Sequence, residues 1–142
     1  MKKPVIDANL IKKYHQDIVF NYAEYPTKDH WSFKFNSNEY KEALLKWLPK
    51  NQDKKIFFYV HIPFCEQLCW FCTCSKFITK DYQKVTDYMT YLYKEIEILF
   101  DYLKKNDIKL NVQTVFFGGG SPTILSKEDL KKLVDKLKSL FD

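Results

Sequence analysis

The chain has 142 residues, 46% apolar and 29% charged, a composition typical of a globular domain and unlike that of disordered or fibrous proteins. Its 23 lysines and 18 acidic residues give a net charge of +5, and arginine is absent. Without the guanidinium fork that reads phosphates and base edges, nucleic acid is not expected as a partner. No apolar run spans a bilayer and the first ten residues lack a secretory signal, so we expect a cytoplasmic protein without a membrane partner.

Residues 1–53 are predicted to be a helical and irregular extension that precedes the main domain. Near its end a helix is predicted, capped by Ser37 or Asn38 and stopped by Pro49. Its apolar positions follow helical spacing. The extension therefore ends in a helix that adjoins the next segment.

Residues 54–142 alternate between strand and helix patterns and are predicted to form two βα units. The predicted elements are a largely buried strand at 56–62, a helix from about 82 to 105, a strand at 112–117, a glycine loop at 118–120, and a helix capped by Ser126 with Asp129 at its third position. Such alternation predicts an α/β fold with parallel strands. Chemistry gathers at the carboxyl ends of parallel strands, so the cysteine and glycine loops should be neighbours in space.

Four cysteines lie within ten positions, with the spacing C-x3-C-x2-C-x-C from Cys65 to Cys74. In a reducing compartment this favours metal binding over disulfides. A structural zinc site draws ligand pairs from separate turns, and no second CxxC or HxxxH pair is present. An iron-sulfur cluster is favoured, because thiolates on one short loop can hold its corners. Buried free cysteines remain the alternative without a metal.

The segments YVHIPFCEQLCWFCTC at 59–74 and FFGGGSPT at 116–123 resemble the radical S-adenosylmethionine (SAM) superfamily. Within it they are most similar to the oxygen-independent coproporphyrinogen III oxidase family, in which a cysteine follows the third ligand by two residues. EYPT at 24–27 also resembles a segment ahead of that family's barrel. The resemblance runs from about residue 20 to the end of the sequence.

The resemblance implies roles for residues that match the family's motif positions. It makes Cys65, Cys69 and Cys72 the ligands of a 4Fe-4S cluster and leaves Cys74 outside as an accessory cysteine. A fourth thiolate would block the iron that SAM needs. The implied SAM contacts are Tyr59 and Gly119 for the molecule on the cluster, and Phe71, Gly120 and Ser121 for a second molecule. His61 faces the same side as Tyr59, and a core role and a site role are both open for it.

By the same resemblance the fold is the N-terminal part of a partial (β/α)6 barrel like that of triosephosphate isomerase. The implied activity is oxidative decarboxylation of two propionates to vinyl groups in heme biosynthesis. A tetrapyrrole would be the substrate and flavodoxin or ferredoxin the electron donor, with a monomeric full-length enzyme. A barrel needs roughly 200 residues or more, so we expect an N-terminal fragment that is inactive by itself.

Two other functions remain open at this point. A heme-binding chaperone relative would share the cofactors, although such relatives commonly lack the fourth cysteine. A small zinc-binding module would use the cysteines differently. Family members usually carry arginine before the YPT element, whereas this chain reads NYAEYPT, so any porphyrinogen carboxylates would meet lysine as a point charge.

Overall fold

The structure, a computed structural model, describes residues 8, 9, 12 and 34–141. The chain divides into two compact units, residues 1–40 and 41–142. The boundary predicted between residues 53 and 54 stays a prediction. The EYPT segment at 24–27 lies outside the described residues.

Helix α1 spans Ser37–Trp47, but its cap differs from the one predicted. The Asn36 side chain accepts hydrogen bonds from the backbone of Asn38 and Glu39, and the Glu39 carboxylate accepts from the Asn36 backbone in return. This reciprocal capping box satisfies donors that would otherwise be unpaired at the helix start. The predictions of Ser37 or Asn38 as the cap were therefore wrong by one or two positions.

Most elements of residues 54–141 follow the predicted order. They are β1 (Ile56–Ile62), β2 (Phe64–Cys65), β3 (Phe77–Ile78), α2 (Tyr82–Lys105), β4 (Val112–Gly119) and α3 (Lys127–Phe141), with a 3-10 turn at Pro122–Ile124. Another 3-10 turn, at Leu48–Lys50, directly follows α1. Strand β1 pairs with β4 in parallel, and this mixed α/β arrangement confirms the predicted fold class. The predicted loop at 118–120 is corrected, because β4 keeps pairing with β1 through Gly118 and Gly119. No helix in the described part of the chain is long and apolar enough to cross a membrane.

The core lies on one face of the β1–β4 pair, where α2 and α3 cover it. Val60 and Ile62 of β1 are almost fully buried there, as is Leu133 of α3. The prediction that β1 is largely buried holds for this face only. On the opposite face, Phe57 is 62% exposed and Tyr59 is 49% exposed, because no described element packs over them.

The starts of α2 and α3 are tied together by a polar network. Asp81 caps α2 by accepting from the Gln83 backbone, and Ser126 caps α3 by accepting from the Asp129 backbone, as predicted. The Tyr82 hydroxyl donates to the Asp129 carboxylate and accepts from the Ser126 backbone. The Tyr82 hydrogen bond, followed by that from Ser126 and the charge of a nearby lysine, holds the pKa of Asp129 below its ordinary value against the opposing effect of burial.

A second pair of parallel strands closes the cysteine loop at its base. Strands β2 and β3 have two residues each, and the Phe77 N–H donates to the Pro63 carbonyl while the Thr79 N–H donates to the Cys65 carbonyl. No periodicity can be read from two residues, so the sequence did not predict this pairing. It places both ends of the loop beside the carboxyl end of β1.

Candidate functional site

The cysteine loop and the glycine segment meet at the carboxyl ends of β1 and β4, as predicted. The Gly120 N–H donates to the Ile62 carbonyl and the Ser121 N–H donates to the Phe64 carbonyl, both at 2.8 Å. These bonds bring the Ser121 hydroxyl to 3.6 Å from the Cys65 sulfur, where it can donate a hydrogen bond. The chain thus joins its two motif segments through Cys65 and Ser121.

Gly120 is required by the closeness of this junction. A Cβ atom at position 120 would lie 2.4 Å from the Phe64 carbonyl oxygen, a backbone atom that cannot rotate away. A side chain here would therefore separate the two segments. The glycine is a packing requirement of the site as well as a candidate ligand contact.

The four cysteines are free thiols with different degrees of exposure. Cys65 and Cys72 are partly buried, whereas Cys69 and Cys74 are exposed. The Cys72 N–H donates to the Cys69 carbonyl at 3.0 Å and forms a tight turn between them. Among the described residues no three His, Cys, Asp or Glu side chains converge as a group that could hold a metal ion.

The thiol of Cys72 lies among polar groups that favour its ionised form. The backbone N–H of Cys74 and, more weakly, the charge of Lys76 lower the pKa of the Cys72 thiol, against a smaller opposing effect of burial. The Lys76 ammonium also donates to the Cys72 carbonyl at 3.2 Å. Both contacts favour the thiolate, which is the form of cysteine that binds metals.

The aromatic residues of the loop point into solvent. Trp70 is fully exposed and Phe71 is 87% exposed. Beside the loop lies an open pocket of about 470 Å³. It is lined by Glu66, Gln67, Cys69, Ser121, Thr123 and Ile124.

Tyr59 and His61 share the exposed face of β1, as the strand alternation predicted. The Tyr59 hydroxyl lies 3.1 Å from His61 Nδ1, within hydrogen-bonding distance. Both rings lie against β4, where a Cβ on Gly118 or Gly119 would approach them to less than 3 Å. The glycine segment therefore accommodates these two rings, a function that sequence reasoning missed.

Comparison with known proteins identifies the family. The chain is 34% identical over 142 residues to an oxygen-independent coproporphyrinogen III oxidase from Mannheimia haemolytica, covering 100% of this chain and 91% of that protein. The chain belongs to the oxygen-independent coproporphyrinogen III oxidase family. The oxidase of the same name from Pseudomonas aeruginosa is 34% identical over 133 residues. No family model matches the sequence.

A solved structure agrees with this family assignment. The coproporphyrinogen III oxidase of Escherichia coli, described as a radical SAM enzyme, superposes with a TM-score of 0.72 at 30% identity. The match covers 96% of this chain and 28% of the solved chain. The chain also spans 28% of the length of the Pseudomonas oxidase.

The residues present fit the donor chemistry of an iron-sulfur cluster. Cys65, Cys69 and Cys72 are unpaired thiols on one short loop, and neighbouring groups favour the thiolate of Cys72. The chain also provides a hydroxyl donor at Cys65. Assignment of these ligands, and of Tyr59 and the other SAM contacts, remains a prediction.

Sequence reasoning missed the contacts that support the oxidase motifs. Ser121 was predicted as a SAM contact, but the structure places its hydroxyl beside Cys65. The hydrogen bonds from Lys76 to the Cys72 carbonyl and from Tyr88 to the His61 carbonyl were not predicted. A lysine four residues after a cysteine and a tyrosine on a buried helix face carry no distinctive sequence signal.

Proposed function

We propose that the chain provides the cluster-binding and SAM-binding part of a radical SAM oxidoreductase that acts on coproporphyrinogen III. The reaction would convert two propionates to vinyl groups by oxidative decarboxylation, in heme biosynthesis. The observation that carries the proposal is the junction of Cys65 with Ser121, which unites the two motif segments at the strand ends. The names of the relatives support the substrate class.

Three thiols would hold the 4Fe-4S cluster, with the loop closing around it. Cys65 is anchored at the end of β2, and Cys69 and Cys72 are linked by a backbone hydrogen bond. Cys74 stays outside in this proposal, because a fourth thiolate would occupy the iron that SAM needs. Three ligands leave one iron open to the amino and carboxylate groups of SAM.

When bound, the cluster supplies the electron for reductive cleavage of SAM, chemistry that belongs to the cofactors. The chain's own residues would bind SAM, orient it and shield it from water. Tyr59 and Gly119 would contact the first SAM molecule. Phe71, Gly120 and Ser121 would contact a second one, with the exposed Phe71 ring free to cover a ligand in the adjoining pocket.

The proposed enzyme would need an electron donor and cationic groups for its substrate. A flavodoxin or ferredoxin would deliver the electron, and the tetrapyrrole carboxylates would meet lysine ammonium groups as point charges, since the chain has no arginine. The whole enzyme is proposed to act as a monomer. Four free thiols support a cytoplasmic location.

The test is anaerobic reconstitution with iron and sulfide, followed by addition of dithionite and SAM, of the chain alone and of the chain joined to the remaining part of the Pseudomonas oxidase. We expect 5′-deoxyadenosine and methionine in equal amounts, with loss of coproporphyrinogen III, from the joined protein and not from the chain alone. A chain that holds one zinc and no iron, or that binds heme without forming 5′-deoxyadenosine, would overturn the proposal. The zinc result indicates a binding module and the heme result a chaperone.

A further inference from the structure

Tyr59 and His61 form a hydrogen-bonded pair at the edge of the site, and nothing so far gives His61 a function. The Tyr59 hydroxyl and His61 Nδ1 are 3.1 Å apart, and the two ring centroids are 5.9 Å apart. The Tyr59 ring also stacks on Phe116 of β4 at 5.9 Å. The pair is thus held on one side by an aromatic ring and open to solvent on the other.

Gly118 and Gly119 of β4 leave the space that these two rings occupy. A Cβ on Gly118 would lie 2.8 Å from Tyr59 Cε2 and 2.9 Å from the Tyr59 hydroxyl. A Cβ on Gly119 would lie 2.7 Å from His61 Cε1 and 2.8 Å from Nε2, and Gly119 also has a φ of +106°, which favours glycine. The close fit shows that the positions of both rings are built into β4.

The backbone of His61 is fixed independently of its ring. His61 pairs with Gly118 in the sheet, and the Tyr88 hydroxyl of α2 donates to the His61 carbonyl at 2.6 Å. A tyrosine hydroxyl is protonated at neutral pH, and burial, and to a smaller extent Glu95 and Tyr59, raise the pKa of Tyr88 further. The imidazole therefore projects from a fixed backbone position beside the Tyr59 hydroxyl.

We propose that His61 is a positioning residue that accepts the Tyr59 hydroxyl proton at Nδ1. A neutral imidazole has one accepting and one donating nitrogen, and its accepting nitrogen is a stronger acceptor than a phenol oxygen. The favoured direction is from the Tyr59 hydroxyl to Nδ1, which leaves the proton of the imidazole on Nε2. Tyr59 then turns its oxygen lone pairs outward and His61 presents an N–H beside Gly119.

An outward acceptor next to an outward donor matches the amino N–H and the carboxylate of an α-amino acid group. The Tyr59 oxygen would accept from an N–H of the SAM amino group, whose nitrogen lone pair is left for the cluster, and His61 Nε2–H would face the SAM carboxylate. This ligand assignment rests on the proposed function. The direction of the hydrogen bond between Tyr59 and His61 does not, and it can be measured without any cofactor.

The first test uses nitrogen NMR of the histidine rings in the chain without cluster or SAM. We expect His61 Nδ1 to show the signal of an unprotonated accepting nitrogen and Nε2 that of a protonated one, assigned by loss of both signals in His61→Asn. Tyr59→Phe should change the Nδ1 signal and leave the far-ultraviolet circular dichroism unchanged. A proton on Nδ1 in the unsubstituted chain would overturn the inference.

The second test measures SAM binding to the reconstituted chain with matched variants. Asn can place an acceptor near the position of Nδ1 but has no donor at the position of Nε2, and Leu has neither. His61→Asn should therefore bind SAM about threefold more weakly than the unsubstituted chain, and His61→Leu about tenfold more weakly. Equal binding by the Leu variant would overturn the positioning role. Failure of the unsubstituted chain to bind SAM would instead overturn the proposed function, while the NMR result still decides the hydrogen bond.

Discussion

The β1–β4 pair and the cysteine loop at 65–74 adjoin each other but are built in different ways. The strand pair is held by a core in which Ile62 and Leu133 are fully buried, and its glycines are fitted to individual rings. The loop carries a fully exposed Trp70 and an exposed Cys69, and its sulfurs do not converge within the described residues. Packing within the chain specifies the first region, whereas few packing contacts specify the exposed part of the second.

The largest expected effect separates the two regions by stability. Leu133→Ala removes a side chain with no exposed surface and should lower the free energy of unfolding by about 2–5 kcal/mol. Trp70→Ala in the loop is the control and should change it by less than about 0.5 kcal/mol. Urea unfolding of both variants measures this. Equal losses would show that the loop belongs to the packed core.

The next prediction concerns the place where the two regions meet. Gly120→Ala puts a Cβ 2.4 Å from the Phe64 carbonyl oxygen and should cost about 1–3 kcal/mol through backbone displacement. Thr123→Ala, an exposed position nearby, is the matched control. Urea unfolding gives the cost. A stable Gly120→Ala variant would contradict the close contact between the segments.

The polar network at the starts of α2 and α3 should appear in the pH dependence of stability. The pKa of Asp129 is lowered in the folded chain, so its stabilisation is present above the ordinary aspartate value and is lost as pH falls through the folded value. Tyr82→Phe removes the main cause and should cost about 1–2 kcal/mol at pH 7 and less at pH 3. Urea midpoints at the two pH values measure the difference. An equal cost at both would contradict the assignment.

The smallest expected effect concerns the influence of the glycine segment after β4 on the cysteine loop. Ser121→Ala removes the hydroxyl 3.6 Å from the Cys65 sulfur. A hydrogen bond to a cluster ligand stabilises the reduced, more negative state, so the reduction potential of the reconstituted cluster should fall by about 20–40 mV, the equivalent of about 0.5–1 kcal/mol. Potentiometry with electron paramagnetic resonance measures it. An unchanged potential would mean that Ser121 does not contact the bound ligand set.

The elements that could be predicted were those with long periodic sequence patterns or a clear cap. The strand at 56–62, the helix at 82–105 and the Ser126 cap agree with the structure, because each depends on local spacing or on one hydrogen bond. The cap at Asn36 was missed, because several adjacent polar residues can all cap a helix. The pairing of β2 with β3 was missed because two residues show no alternation.

The candidate site was predictable as a set of motifs but not as a set of contacts. Residue spacing indicated that the cysteine and glycine segments form a site, and the order of strands and helices predicted that the two segments adjoin. The contact of Ser121 with Cys65 and the fit of Gly119 to His61 depend on the register between β1 and β4. This register is known only once the two strands are paired in the structure. Phe71 carries no sign of its exposure in the sequence, since an aromatic residue beside cysteines is equally compatible with burial.

The central claim is that three of the four cysteines hold a cluster and that Cys74 does not. It is tested most directly by the iron and acid-labile sulfide content of anaerobically reconstituted Cys72→Ser and Cys74→Ser, with circular dichroism to establish that both are folded. The account predicts about four iron and four sulfide per chain for Cys74→Ser, as in the unsubstituted protein, and a strongly reduced content for Cys72→Ser. Loss of the cluster in Cys74→Ser, or its retention in Cys72→Ser, would contradict the account.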